Sequence, residues 1–205
     1  MTRPRGEGVT RLLLIRHGMT EWNETRRLQG RADPGLSPRG RAEVRSWRLP
    51  EAWDGARWLS SPLRRACETA ALLTAAPVGI DQRLIEMAWG AFEGRRLADL
   101  RAEDPAGMAA NEARGLDFRP PGGESPREVA ERVRGLAAEL AGEPGPVVAV
   151  THKGVVRVAL ALATGWTMRE KPPVRLAGAH ALALLCRPDG RLELDGPPVE
   201  LSARP

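Results

Sequence analysis

In the stretch VTRLLLIRHG, Val9 to Gly18, an apolar run from Leu12 to Ile15 passes straight into Arg16, His17 and a glycine. Alternating apolar and polar residues would mark a strand with one face in water. An unbroken run marks a strand buried on both faces, as in a parallel sheet covered by helices. A basic pair has no place in such a core. In an open parallel sheet, however, the carboxyl end of a strand is where ligands bind. The stretch therefore reads as a strand that delivers an arginine and a histidine to a site.

Working outward, strands and helices alternate. Ser37 and Pro38 signal a helix start that runs through RGRAEVRSW, and Ala56–Ser60 is a second strand. A second Ser-Pro pair, Ser61-Pro62, opens LRRACETAALL, and a short strand around PVGI leads into DQRLIEMAWGAFEG. Ser125, Pro126 and Glu128 form a capping box, after which Val129, Val133, Leu136 and Leu140 fall on one helical face. Gly145–Val150 is a further buried strand, KGVVRVALALATG a helix closed by Gly165, and ALALLCRPDGRLELDG a hairpin turning at Asp189-Gly190. This order predicts a three-layer α/β/α fold with a mostly parallel central sheet and an antiparallel edge strand. The segment 95–123, with Pro105, Pro120 and Pro121, is the loosest part and is expected to be a helical insertion or lid within one domain spanning 1–205.

Bulk composition fits that reading. A chain of 205 residues with 42% apolar content is long enough for one sizeable core. No apolar run approaches the roughly 20 residues that span a bilayer, and the run after the basic N-terminus is too short for a secretory signal. A cytoplasmic protein is expected. Cys67 and Cys186 are far apart, and with only three histidines no metal site is expected. The net charge of +5 raises nucleic acid as a partner, but Lys153 and Lys171 are the only lysines and the arginines are interleaved with glutamates. Attraction of small anionic substrates is the better account of the charge.

The strand ends collect one kind of chemistry. They carry Arg16-His17-Gly18, then Ser61-Pro62 with Arg64 and Arg65 in the following turn, then Glu86, then Thr151-His152-Lys153-Gly154. Arginine's planar fork binds two phosphate oxygens at once. A neutral histidine is a covalent nucleophile, and neighbouring arginines keep it neutral. A glutamate with a raised pKa can protonate a leaving alcohol. Gly18 and Gly154 would let the backbone approach a ligand, and helix N-termini after the second and fourth strands add amides suited to an anion. Each residue alone also has a plain structural reading: His152 as a core histidine, Arg65 as a surface residue, Glu86 as a structural carboxylate. Their convergence on one edge of one fold favours a site for phosphoryl transfer.

These segments resemble the histidine phosphatase superfamily, the phosphoglycerate mutase-like family. LLLIRHGMTEWN is similar to its signature. GLSPRGRAEV, SSPLRRACETA, LIEMAWGAFEG, PPGGES and VVAVTHKGVVR resemble its further motifs, in family order from about residue 10 to residue 190. The resemblance implies the phosphoglycerate mutase-like fold and makes His17 the nucleophile. Arg16, Arg65 and His152 become ligands of the transferred phosphoryl group, and Glu86 becomes the proton donor. It further implies that Asn23 contacts the phosphate, that Gln29 and Gly30 line the substrate side, and that no metal or cofactor takes part.

RLQGRADPGLS resembles the phosphatase branch, so a phosphatase acting on a small phosphorylated metabolite is expected. A cofactor-dependent phosphoglycerate mutase and a non-catalytic phosphate-binding module are the alternatives, and a homodimer is one assembly allowed. Lys153 stands where relatives often have glycine and either adds charge toward a second phosphate or carboxylate or faces solvent. His180 either touches substrate or is an edge-strand histidine, and Trp22 and Trp89 are expected to wall the pocket.

Overall fold

The computed structural model describes residues 8–176 and 179–201, so the basic segment before Gly8 lies outside the described residues. Strand β1 (Thr10–Arg16) is the predicted buried strand. Its side chains divide between two cores as a doubly covered strand requires: Leu12 and Leu14 join one, Leu13 and Ile15 the other. Each such leucine or isoleucine taken out of water contributes roughly 1.5–3 kcal/mol, so the strand end is anchored from both sides.

After β1 come α1 (Glu21–Glu24), α2 (Pro38–Ser46), β2 (Arg57–Ser60), α3 (Arg64–Leu73) and β3 (Val78–Ile80). They are followed by α4 (Leu97–Glu103), α5 (Pro105–Glu112), α6 (Pro126–Leu140), β4 (Val147–Thr151) and α7 (Lys153–Thr164). The chain ends in β5 (His180–Cys186), β6 (Leu192–Leu194) and β7 (Val199–Glu200). The sheet order is β3-β2-β4-β1-β5-β6, with β7 also paired to β5. The strands from β3 to β1 are mutually parallel, while β5 runs antiparallel to β1 and carries β6 and β7 antiparallel to itself. β5 and β6 form the expected antiparallel hairpin at the sheet edge, and β7 is one further short strand paired to β5. Apolar faces of α6 and α7 cover one side of the sheet. Val44 of α2 with Ala66 and Ala70 of α3 covers the other, giving three layers.

The capping box at Ser125 is present: its hydroxyl accepts the Glu128 amide and the Glu128 carboxylate accepts the Ser125 amide. Gly165 closes α7 in the left-handed conformation (φ 73°). One expectation changes. Helix α3 does not start at Ser61-Pro62; it starts at Arg64 after Leu63, with no side-chain cap. Ser61 is used elsewhere, as described below. The segment 95–123 carries helices, α4 and α5, and Pro105 opens α5 while Asp104 caps it through the Gly107 amide. No described helix is long and apolar enough to cross a membrane.

Candidate active site

The parallel register of β1 and β4 sets Arg16 opposite Thr151, and the His17 amide donates to the Thr151 carbonyl (2.9 Å). His17 and His152 therefore leave adjacent strands side by side, with ring centroids 5.1 Å apart. Neither is a surface residue: His17 is 6% exposed and His152 fully buried.

The hydrogen bonds fix the state of the His17 ring. Its Nδ1 lies 2.7 Å from the Gly18 carbonyl oxygen. A carbonyl only accepts, so Nδ1 carries the proton and Nε2 keeps its lone pair. Burial, then the charges of Arg16 and Arg65, hold this imidazole well below its ordinary pKa, so it is neutral. His152 Nε2 shares a hydrogen bond of 2.7 Å with Ser61 Oγ, which also accepts the Leu63 amide (3.3 Å). The other ring nitrogen of His152, Nδ1, is buried with no partner among the described residues. Burial, followed by the neighbouring His17 ring and the charge of Arg65, lowers the His152 pKa as well.

Arg65 is fully buried. Its Nη1 donates to the Ala32 carbonyl and its Nη2 to the Gly30 carbonyl, both at 2.8 Å, while Nε has no partner. The loop that supplies these carbonyls is itself held by Glu93, whose carboxylate accepts the Arg31 and Ala32 amides (2.9 Å each). Glu93 thus fixes Arg65 at one remove. Buried polar groups nearly always find partners, so the Nε of Arg65 and the Nδ1 of His152, both unpartnered, are left for a ligand to engage.

Glu86 is 7% exposed. One carboxylate oxygen accepts the Met87 amide (2.8 Å) and the other the Gly154 amide (3.2 Å). Burial raises its pKa above the usual carboxylate value, against the pull of those amides and of Arg65 and Arg132. Gly154 is required by this contact, since a Cβ there would lie 2.3 Å from Glu86 Oε1. A Cβ on Gly18 would meet Val44 at 2.4 Å. Both glycines thus make room for close protein neighbours, and Gly154 also borders the cleft.

Arg16, His17, Asn23, Gln29, Gly30, Arg65 and Glu86 all border one cleft of about 850 Å³, with His152 behind it against His17. Asn23 faces it while its Oδ1 accepts the Thr20 amide and hydroxyl, completing a capping box for α1. Gln29 Oε1 is buried without a partner, an acceptor that suits a substrate hydroxyl. Trp89 walls the cleft, packed at 5.6 Å on Phe118. Trp22 does not border it and instead packs near Gly94. His180 opens β5 away from the cleft lining. The sequence reading missed Ser61 and Glu93 as site residues. Both lie inside quoted motifs, and only their hydrogen-bond partners reveal their roles.

The family model for the histidine phosphatase superfamily, branch 1, matches residues 12–196. A bifunctional protein of Mycobacterium tuberculosis is 38% identical over 75% of this chain, which spans only 44% of that relative and of the other first curated relatives it matches. A glucosyl-3-phosphoglycerate phosphatase of Mycolicibacterium vanbaalenii is 35% identical over 93% of this chain and 88% of its own. The solved structure of a mycobacterial glucosyl-3-phosphoglycerate phosphatase with vanadate superposes with a TM-score of 0.76 at 31% identity, covering 95% of this chain and 100% of that one. With this fold, its strand-end histidines and a family-model match over most of its length, the chain belongs to the histidine phosphatase superfamily, branch 1.

Proposed function

We propose that this protein is a metal-independent phosphatase that hydrolyses small phosphomonoesters through a phosphohistidine on His17. The observation that carries the reading is the neutral His17 ring, with its Nε2 lone pair unused, in the same cation-lined cleft as a buried glutamate of raised pKa.

In the first step Nε2 attacks phosphorus and the bond to the leaving oxygen breaks. Glu86 passes its proton to that oxygen, releasing the alcohol. Arg16, the Nε of Arg65 and the Nδ1 of His152 hold the equatorial oxygens, where charge is spread in the transition state. In the second step water attacks the phosphohistidine and the electron pair of the P–N bond returns to Nε2. Glu86, now a carboxylate, takes the water proton, so the cycle ends with inorganic phosphate and both residues restored. The arginines supply the positive charge that a divalent cation brings in other phosphoryl-transfer enzymes. Asn23 and Gln29 orient the ester, and the Gly30 carbonyl holds Arg65. The helices α4 and α5 act as a lid over the cleft, which Leu97, Arg101 and Glu112 border.

The relatives named for glucosyl-3-phosphoglycerate support a phosphorylated sugar or glycerate derivative as substrate, and a cytoplasmic location suits such a metabolite. The test is hydrolysis of 4-nitrophenyl phosphate with excess EDTA. Turnover should persist with the chelator and vanish in His17→Ala. Loss with EDTA, or turnover in His17→Ala, would contradict the proposal. Interconversion of 3- and 2-phosphoglycerate faster than phosphate release would make the protein a mutase instead.

A further inference from the structure

The segment that carries Glu86 is clamped before and after that residue. Arg132, on α6, donates through Nη1 to the Arg83 carbonyl. The Thr151 hydroxyl, at the end of β4, donates to the Leu84 carbonyl (2.7 Å). Beyond Glu86, the Ala88 amide donates to Glu124 Oε2 (3.1 Å), and the Glu124 amide donates back to the Ala88 carbonyl (2.9 Å). An ion pair closes the clamp, with Arg132 Nη2 3.4 Å from the same Oε2. The other Glu124 oxygen meets Arg31 Nη2 at 3.1 Å.

The pair is mostly withdrawn from water, with the Arg132 and Glu124 side chains 15% and 19% exposed. The Nε of Arg132 is buried without a partner. Such a pair adds little net stability, because lost hydration offsets the attraction. A neutral glutamine would also accept the Ala88 amide. The charges therefore act on something else, and Glu86 is their neighbour. Four cations act on this carboxyl: Arg16 at the end of β1, Arg65 on α3, Arg132 on α6 and Lys153 at the start of α7. The His17 and His152 rings nearby are neutral. The carboxylates on the same segment are Glu124 and Glu93, which accepts the Trp89 amide (3.1 Å). Arg16, Arg65 and Lys153 border the cleft, where a bound phosphate would neutralise them, and Arg132 does not. Its counter-charge is Glu124.

We propose that Arg132 and Glu124 are positioning residues for the acid: the pair clamps the Glu86 segment and sets the field in which Glu86 exchanges its proton. Burial raises the Glu86 pKa, Arg132 pulls it back, and Glu124 tempers that pull. The inference rests on the phosphatase reading and adds to it the device that tunes the proton donor.

The two charges act on Glu86 with opposite sign, and the test reads that sign. kcat/KM is followed against pH on glycerol 2-phosphate, whose alkoxide must be protonated, and on 4-nitrophenyl phosphate, whose leaving group needs no proton. The alkaline limb on glycerol 2-phosphate reports loss of the Glu86 proton. Arg132→Met removes the cation and should move that limb up by roughly half a pH unit or more. Glu124→Gln keeps an acceptor for the Ala88 amide, removes the anion and should move the limb down by about as much. Arg132→Lys keeps the charge and should leave it in place. On 4-nitrophenyl phosphate all three limbs should hardly move. Where Arg132→Met does not fold, Glu124→Gln carries the test alone. Limbs that stay put, or that move the same way in Arg132→Met and Glu124→Gln, would overturn the proposal and leave the phosphatase reading intact. Wild-type turnover of 4-nitrophenyl phosphate with no cleavage of glycerol 2-phosphate would also overturn it, since no proton would then pass from Glu86. Failure of the wild type on both esters would remove the phosphatase reading and the inference together.

Discussion

At the scale of single residues, the site works by moving two titratable groups away from their ordinary values in opposite directions. His17 must be neutral to attack, and burial beside Arg16 and Arg65 keeps it so. Glu86 must be protonated to donate, and burial raises its pKa. The ester-bound enzyme should therefore lose kcat as pH rises through the raised Glu86 value, with the acid limb displaced below the ordinary histidine range. Glu86→Gln should lower kcat/KM, which reports only the phosphorylation step, about 10²–10⁴-fold on esters of poor leaving groups and much less on 4-nitrophenyl phosphate, whose leaving group needs no proton. An equal loss on both would remove the acid role from Glu86. The residue types and positions of this pair were legible in the sequence. The tautomer of His17 was not, because it depends on a 2.7 Å contact with the Gly18 carbonyl. Ser61 was misread for a related reason: Ser-Pro is a good helix start locally, but its hydroxyl is taken by a histidine 91 positions away.

At the scale of elements, β1 and α6 were fully announced by their patterns, an unbroken apolar run and a capping box with a periodic face. The loop that holds Arg65 was not, since irregular chain has no periodicity to read. Its geometry comes from Glu93, which gathers the Arg31 and Ala32 amides while the Gly30 and Ala32 carbonyls grip the guanidinium. Glu93→Gln keeps one acceptor oxygen and loses the charge. It should weaken inhibition by inorganic phosphate or vanadate and lower kcat/KM roughly tenfold, the scale of one charge-assisted hydrogen bond. The melting temperature should move little, because the loop lies outside both cores. Unchanged vanadate affinity in that variant would mean that Arg65 is placed without Glu93.

At the scale of the whole molecule, the parallel half of the sheet places two histidines, two arginines and a glutamate at one edge, and the same burial that prepares them costs stability. The folded chain holds His17 and His152 below the ordinary imidazole pKa, so it binds fewer protons than the unfolded chain as pH falls through about 6.5. Their contribution is intact above that value and is lost on the acid side. The melting temperature should fall between pH 7.5 and 5, and the double variant His17→Gln, His152→Gln should flatten that fall; an unchanged slope would contradict the assignment. The layered architecture and the direction of the sheet were readable from the alternation of strand and helix signals. The β5–β6 hairpin was readable from its Asp189-Gly190 turn, but β7 was not, because it is two residues long and takes its pairing from β5. The central claim is that His17 carries the phosphoryl group. An alkaline quench of the enzyme during turnover, followed by peptide mass spectrometry, tests it directly. The account predicts one phosphoryl group on His17, stable to base, lost in acid and absent from His17→Ala. Full turnover with His17 never phosphorylated, or a phosphoryl group on another residue, would contradict it.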